Sequence, residues 1–368
     1  MIEFNKPYYD EAEIEHIKLA MFDEVDYKSR SIEPLNRTFG VGKQIFLTCN
    51  ATMAAEAYFL AMNFSKGSEV ILPSFNYPSI ANIIIKYNLV PVFVDISKKT
   101  LVVDLVDVER KITAKTCLIV VVNYGGASCD FDVLKDIAGK IPIFEDAALS
   151  FGGKYKGRPL GTIGDCGIVS FHKTKNLSCD VGGMLILNNK LENMDYIYEN
   201  GTNRLDFLQG KADRYSWVTM GSNVAMANIN AAILYAQLQK QDAIYNLRKD
   251  VYFVYLKELS SLKDRIRLPD VPQYNVNNFH VFYIIFYNQT ERDYLDRYLK
   301  NNKIGVATHY SPLHLSKMGK KYSDGSLKNT EYIDKTMLRL PIHAHMKKSD
   351  AHFVIEKVRE AFYQYDHE

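Results

Sequence analysis

Four stretches of this 368-residue chain hold residue types that could do chemistry. Asp146 lies in Ile143-Phe-Glu-Asp-Ala-Ala148, at the end of an apolar run that reads as a buried strand. Ligand sites of parallel sheets lie at such ends, although a carboxylate there can equally cap a helix or pair with a structural cation. Lys175 follows a second such run, in Ser170-Phe-His-Lys-Thr-Lys-Asn176. Most lysines are solvated, as neighbouring Lys173 illustrates, but partial removal from water in a glycine-rich loop lowers an amine's pKa and makes it nucleophilic. Asn50-Ala51-Thr52 opens a helical pattern, where free amides and the helix dipole suit a phosphate and where Asn50 or Thr52 is equally a plain N-cap. Tyr77, in Pro73-Ser-Phe-Asn-Tyr-Pro78, either lies flat on a planar ring or packs within its own loop.

The elements that must position these residues follow from apolar periodicity. Strands are expected over 69–72, 91–94, 117–122, 142–145, 166–171 and 183–187, with helices near 52–64, 77–87 and 131–138. Such alternation predicts an α/β domain with a largely parallel, buried sheet. Fourteen of the 20 glycines fall between Gly125 and Gly221, a loop-rich middle where backbone turns sharply or approaches a ligand. One or two long helices are expected from Met226 to Leu259. After them come a strand at 280–286, a helix at 291–299, a short strand at 304–308 and a final helix at 351–363. The expected division is a large α/β domain over 1–240 and a small C-terminal α+β domain over 241–368.

Composition narrows the function classes. With 45 Lys+Arg against 43 Asp+Glu the net charge is +2, which argues against a dedicated nucleic-acid binder. No apolar run approaches the ~18 residues of a membrane span, so no membrane partner is expected. The N-terminus has no basic flank followed by an apolar stretch, so no secretory signal is expected either. Five cysteines without a C-x-x-C pair point to a reducing cytoplasm, and no metal site is indicated. A lysine nucleophile, a buried carboxylate, a phosphate cradle and an aromatic lid together suit one ligand, pyridoxal 5'-phosphate (PLP). Its aldehyde condenses with lysine, and its ring nitrogen stays protonated beside a carboxylate. Neither G-x-G-x-x-G after the first strand nor G-x-x-x-x-G-K-[ST] is present, so nicotinamide and P-loop nucleotides lack their motifs.

The segments NAT (50–52), EVILPSFNYPSIAN (69–82), PVFVD (91–95), IFEDAA (143–148), YKGRPLGTIGD (155–165) and SFHKTKN (170–176) resemble the sugar-nucleotide aminotransferases of the DegT/DnrJ type. The likeness continues through GTNRLDF (201–207), DRYSW (213–217), MGSN (220–223), NNFHVFY (277–283), HYSPLH (309–314) and RLP (339–341). The GTNR and HYSPLH stretches are similar to one subgroup, the dTDP-4-amino-4,6-dideoxygalactose transaminases. The resemblance implies a fold-type-I PLP-dependent transferase with a mostly parallel seven-stranded sheet. It further implies Lys175 as the Schiff-base lysine, Asp146 as the pyridinium partner and Tyr77 as the stacking ring. Ala51, Thr52 and Ser170 fall at the cofactor phosphate, and Asn223 reaches the phosphate of a neighbouring subunit in a homodimer with shared active sites. His309 and Tyr310 fall near the sugar, while Arg204 either meets a substrate phosphate or pairs with a carboxylate. Trp217 is expected to pack.

The activity so implied is ping-pong transfer from L-glutamate to C4 of a dTDP-linked 4-keto-6-deoxyhexose, for deoxyaminosugar and surface polysaccharide synthesis. The alternatives are amination at C3 or of another keto sugar, and a PLP-binding fold without turnover. Two departures from the family pattern stand out. Leu149 replaces the Gln or His that contacts the phenolic oxygen of PLP, and the turn from Asn176 to Gly183 is one residue short and lacks its Glu.

Overall fold

The computed structural model describes residues 1–323 and 325–367. Seven strands form one sheet: β1 (Gln44–Thr48), β2 (Glu69–Pro73), β3 (Val90–Val94), β4 (Thr116–Val122), β5 (Ile143–Asp146), β6 (Cys166–Ser170) and β7 (Gly183–Leu187). Their spatial order is β1-β7-β6-β5-β4-β2-β3. The pairs from β3 through β6 are parallel, and β7 runs against both β1 and β6. The sheet is therefore mostly parallel and seven-stranded. Helices cover both faces, which is why β4 and β6 read as unbroken apolar runs rather than alternating ones. Three of the connecting helices start at side-chain caps: Asn50 accepts from Met53 N at 2.8 Å, Asp104 from Val106 N at 3.0 Å and Asp130 from Asp132 N at 3.0 Å.

Register fixes which side chains reach the ligand edge. Neighbouring residues of a strand point to opposite faces, so Glu145 and Asp146 part company at the end of β5. Glu145 has no exposed surface and accepts from the amides of Gly161, Ile163 and Gly164 and from Asn123 Nδ2. It ties the glycine-rich turn before β6 to the sheet, leaving Asp146 for the opposite side. Gly183, at the start of β7, backs onto the Asn50–Ala51 backbone so closely that a Cβ there would collide with it. Only glycine lets the helix over Ala51–Met62 begin so close to the sheet.

The C-terminal region builds a second, antiparallel sheet from β8 (Ile266–Arg267), β9 (Phe282–Phe286) and β10 (Met337–Leu340). Helices over Gln241–Leu259, Gln289–Asn301 and Lys348–Tyr365 share its apolar core, as expected of a small α+β unit. The long helical window breaks at Lys240, which separates a helix over Asn228–Gln239 from the one over Gln241–Leu259.

Local differences from the sequence reading have physical reasons. Residues 304–308 do not form the expected strand; Ile304 bridges only to Ile2 and Ala307 only to Arg339. Gly305 there packs against the Phe4 backbone, so the chain's first residues strap across the C-terminal unit. Tyr77 precedes its helix, which starts at Ser79 after Pro78. The helices over Glu11–Phe22 and Tyr27–Phe39, and β1, are additional to the expected elements; the second buries Tyr27, Ser31, Leu35 and Phe39 on one face, a helical spacing that polar Ser31 and Pro34 obscure in the sequence. All five cysteines are free, and Cys179 is buried as filler. No helix among the described residues is long and apolar enough to cross a membrane.

Candidate active site

The C-terminal ends of β2, β4, β5 and β6 and the start of the helix over Ala51–Met62 open on one side of the large sheet, and the C-terminal unit faces them. Between them lies a cavity of about 430 Å³. Ala51, Thr52, Tyr77, Asp146, Ser170, Lys175, His309 and Tyr310 all line it. Eight of the ten residues singled out from sequence thus converge, although they come from five separate segments.

Asp146 is buried at the end of β5, and its Oδ1 accepts from Ala148 N at 3.2 Å. Burial raises its pKa, opposed by that amide, by the Lys175 charge and by Asn76. Lys175 sits in a turn closed by its own amide donating to His172 O at 2.8 Å. Its amine faces the cavity, and withdrawal from bulk water pulls its pKa down to about 8, with Asp146 opposing and Arg339 reinforcing the fall. Neutral amine is therefore abundant above pH 8 and is lost as pH falls below it. The rate at which the apoprotein captures PLP should accordingly rise with a midpoint near pH 8. A midpoint at the ordinary lysine value of 10.5 would refute the shift.

The phosphate end is built from backbone. Ala51 and Thr52 occupy the first helical positions, whose amides have no intrahelical acceptor, and Asn50 takes the Met53 amide. Ser170 Oγ accepts from His172 N at 3.3 Å, which leaves its O–H free to donate. Tyr77 is 58% exposed at the cavity mouth, with its ring 6.4 Å from that of Tyr310. It is not packed away in its own loop.

Arg204 and Asn223 do not line the cavity. Arg204 pairs with Glu199 at 3.3 Å on the surface, the carboxylate alternative of its two readings. Trp217, expected to pack, is instead 79% exposed, and Leu208 and Met220 close to it in sequence are exposed as well.

The two departures from the family pattern are both accommodated. Leu149 presents only carbon to the cavity and is packed with Phe75, Tyr124 and Val281. The short turn after Lys175 closes on its own backbone, Phe171 N donating to Gly182 O at 2.8 Å and Lys173 N to Asp180 O at 2.8 Å. Asn176 Nδ2 donates to Asn278 O at 2.8 Å, so its Oδ1 is the acceptor for His280 Nδ1–H at 2.8 Å. That contact turns the Nε2 lone pair of His280 away from Asn176, and burial first, then Arg248, Lys175 and Arg339, holds its pKa far below the usual histidine range.

Sequence reasoning missed Asn76, His280 and Arg339, all of which line the cavity. Asn76 and His280 stand inside recognised segments, but nothing in residue type separates an asparagine or histidine that faces a site from one that fills a loop. Arg339 stands in the recognised segment RLP (339–341), and its charge in an otherwise apolar strand is the signal that could have found it.

An amine opposite a buried carboxylate, with free amides and a hydroxyl at one end and an aromatic at the mouth, suits PLP. The Nδ2 of buried Asn76, near Asp146 but without a close hydrogen-bond partner, adds a donor that a polar ligand would satisfy. The family model for the DegT/DnrJ/EryC1/StrS aminotransferase family matches residues 33–359. The uncharacterized protein MJ1066 of Methanocaldococcus jannaschii is 28% identical over 351 residues, 90% of this chain and 89% of its own. Among solved structures, the PLP-form of Spr1654 from Streptococcus pneumoniae has a TM-score of 0.91 at 22% identity, with 99% of each chain covered. PseC from Helicobacter pylori, an aminotransferase involved in the biosynthesis of pseudoaminic acid, has a TM-score of 0.90 at 20% identity, again over 99% of each chain. Both share the fold of this chain.

Proposed function

The chain belongs to the DegT/DnrJ/EryC1/StrS aminotransferase family, and from that premise we propose that it moves an amino group from L-glutamate to C4 of a dTDP-linked 4-keto-6-deoxyhexose. It is a PLP-dependent sugar aminotransferase. The observation that carries the reading is the convergence of Lys175 and Asp146 on one cavity whose far end is the start of the helix over Ala51–Met62. When bound, the cofactor supplies an electron-withdrawing ring that stabilises negative charge on the carbon exchanging its nitrogen.

This chain's own residues do the rest. Asp146, buried and acceptor-only when ionised, would keep a proton on the ring nitrogen. The amides of Ala51 and Thr52 and the Ser170 hydroxyl would hold the phosphate. Tyr77 would lie along the ring face and limit its tilt. Lys175 Nζ, with a pKa of about 8, stands ready to take a proton from the donor carbon and return one, as base and then acid. His309 and Tyr310, on the opposite wall, would meet the sugar. Because one site serves both half-reactions in turn, ping-pong kinetics are expected.

A homodimer completes the reading. The exposed apolar side chains at Leu208, Trp217 and Met220 belong to the segment just before Asn223, and a second copy covering them would bring Asn223 towards the neighbouring phosphate site. The reading is tested by adding L-glutamate and then individual keto-sugar nucleotides to the PLP-loaded protein. Glutamate should remove the visible absorbance band, dTDP-4-keto-6-deoxyglucose should restore it, and NMR of the product should show nitrogen at C4. Nitrogen at C3 would replace the substrate assignment, and a band that no keto sugar restores would overturn the function.

A further inference from the structure

The turn that carries Lys175 is held from the C-terminal unit, by residues 278–280 just before β9. Asn176, next to Lys175, donates Nδ2 to Asn278 O at 2.8 Å, and its Oδ1 accepts from His280 Nδ1–H at 2.8 Å. Asn278 in turn donates its own Nδ2 to Leu149 O at 2.8 Å and Phe151 O at 3.1 Å, just beyond Asp146. Its Oδ1 accepts the His280 amide at 3.2 Å. One short segment thus grips the chain beside both Lys175 and Asp146.

The segment that grips is itself fixed. Buried Arg248, on the helix over Gln241–Leu259, donates Nε to Phe279 O at 3.0 Å and Nη2 to His280 O at 2.7 Å. Phe279 has a φ of 53°, a left-handed conformation that a bulky residue adopts only where its surroundings impose it. Asn277 Oδ1 accepts the Phe279 amide at 2.8 Å and helps to impose it. What this strained backbone aims is the ring of His280. Burial first, then the charges of Arg248, Lys175 and Arg339, keeps that ring neutral, so it offers the Lys175 turn a direction and no charge.

We propose that His280 is a positioning residue: through its Nδ1–H bond to Asn176 it holds the Lys175 amine at the depth and direction that proton transfer requires. Lysine is a compact charge on a flexible stem, so the turn beneath it must be still for Nζ to meet one carbon repeatedly. A displacement of about 1 Å costs about 10²-fold in rate. Holding the turn also keeps the amine out of bulk water, the first cause of its lowered pKa. The groups within electrostatic reach of that amine are Asp146 at the end of β5, His172 in its own turn, His309, and His280 and Arg339 from the C-terminal unit. Replacing neutral His280 removes no charge from this set, so a changed Lys175 titration reports where the amine sits.

This inference rests on the amino-transfer reading, and its test separates the two. Substitution can tell the two ring nitrogens apart, because asparagine places an N–H as far along the side chain as Nδ1 and glutamine as far as Nε2. His280→Gln should therefore lose the bond to Asn176, and His280→Asn should keep it. In the Gln variant the midpoint of PLP capture should rise from near pH 8 by about one pH unit, towards the ordinary lysine value of 10.5. Its turnover should fall about 10- to 100-fold in both half-reactions, with KM for glutamate and for the keto sugar changing at least about tenfold less. The Asn variant should hold the wild-type midpoint and recover most of the lost turnover. Asn176→Ala breaks the same contact from its other end and carries the test should the Gln variant fail to fold. Combined with His280→Gln it should cost no more than about twofold beyond the worse single variant. An Asn variant as impaired as the Gln one, or a melting temperature that falls while the midpoint stays, would overturn the assignment. A wild-type band that no amino acid alters would refute the amino-transfer reading, and the capture midpoints would still decide the role of His280.

Discussion

Lys175→Ala abolishes amino transfer, with turnover falling by at least about 10⁴-fold, because the substitution removes both the cofactor's covalent anchor and the proton carrier. The loss is specific. Lys175 forms no ion pair among the described residues, and the hydrogen bond from its amide to His172 O survives the change, so the turn keeps its backbone. The thermal transition should therefore stay close to that of the wild type, or rise slightly, since a buried amine with a lowered pKa costs stability wherever it is protonated. The checks are the visible band of the PLP-loaded protein and product formation from glutamate. A variant that keeps its band and turns over within tenfold of the wild type would strip Lys175 of its role.

Asp146→Asn should lower turnover by about 10³-fold with little change in shape. The amide is isosteric and its oxygen can still accept from Ala148 N, a contact now 3.2 Å long. What disappears is the negative charge. Burial already works against that charge, and the Lys175 ammonium and nearby donors support it only in part, so nothing else among the cavity residues can hold a ring nitrogen cationic. The test reads the glutamate half-reaction and the cofactor's affinity separately. The rate should collapse while PLP still binds through the helix start and Ser170. Unchanged rates would show that the carboxylate is structural, one of the bland alternatives for a strand-end aspartate.

Much of the site is legible because it is local. Asp146 and Ser170 end apolar strands, and Asn50 caps the helix that Ala51 and Thr52 begin, so their places at the ligand edge follow from short-range patterns. Lys175 stands five residues beyond a strand end in a tight turn and shares that logic. The short turn and Leu149 looked like defects only because a pattern cannot show repacking. The turn is closed by backbone hydrogen bonds, and Leu149 joins an apolar cluster drawn from both the large sheet and the C-terminal unit. The isolated bridges at Ile304 and Ala307 and the exposure of Trp217 escaped for a related reason. Each depends on what stands opposite, and residue type does not say.

The sequence by itself therefore determined which residues can carry the chemistry and which strand and helix ends hold them, because alternation, capping and apolar runs act over a few residues. Only the tertiary structure decided that Arg339 lines the cavity with no ion pair among the described residues, that His280 and His309 each have one defined tautomer, since Arg339 Nη1 can only donate to His309 Nδ1, and that Arg204 pairs with Glu199 outside the cavity. Desolvation and hydrogen-bond partners set the charge and direction of each of these groups, and both come from segments far apart along the chain.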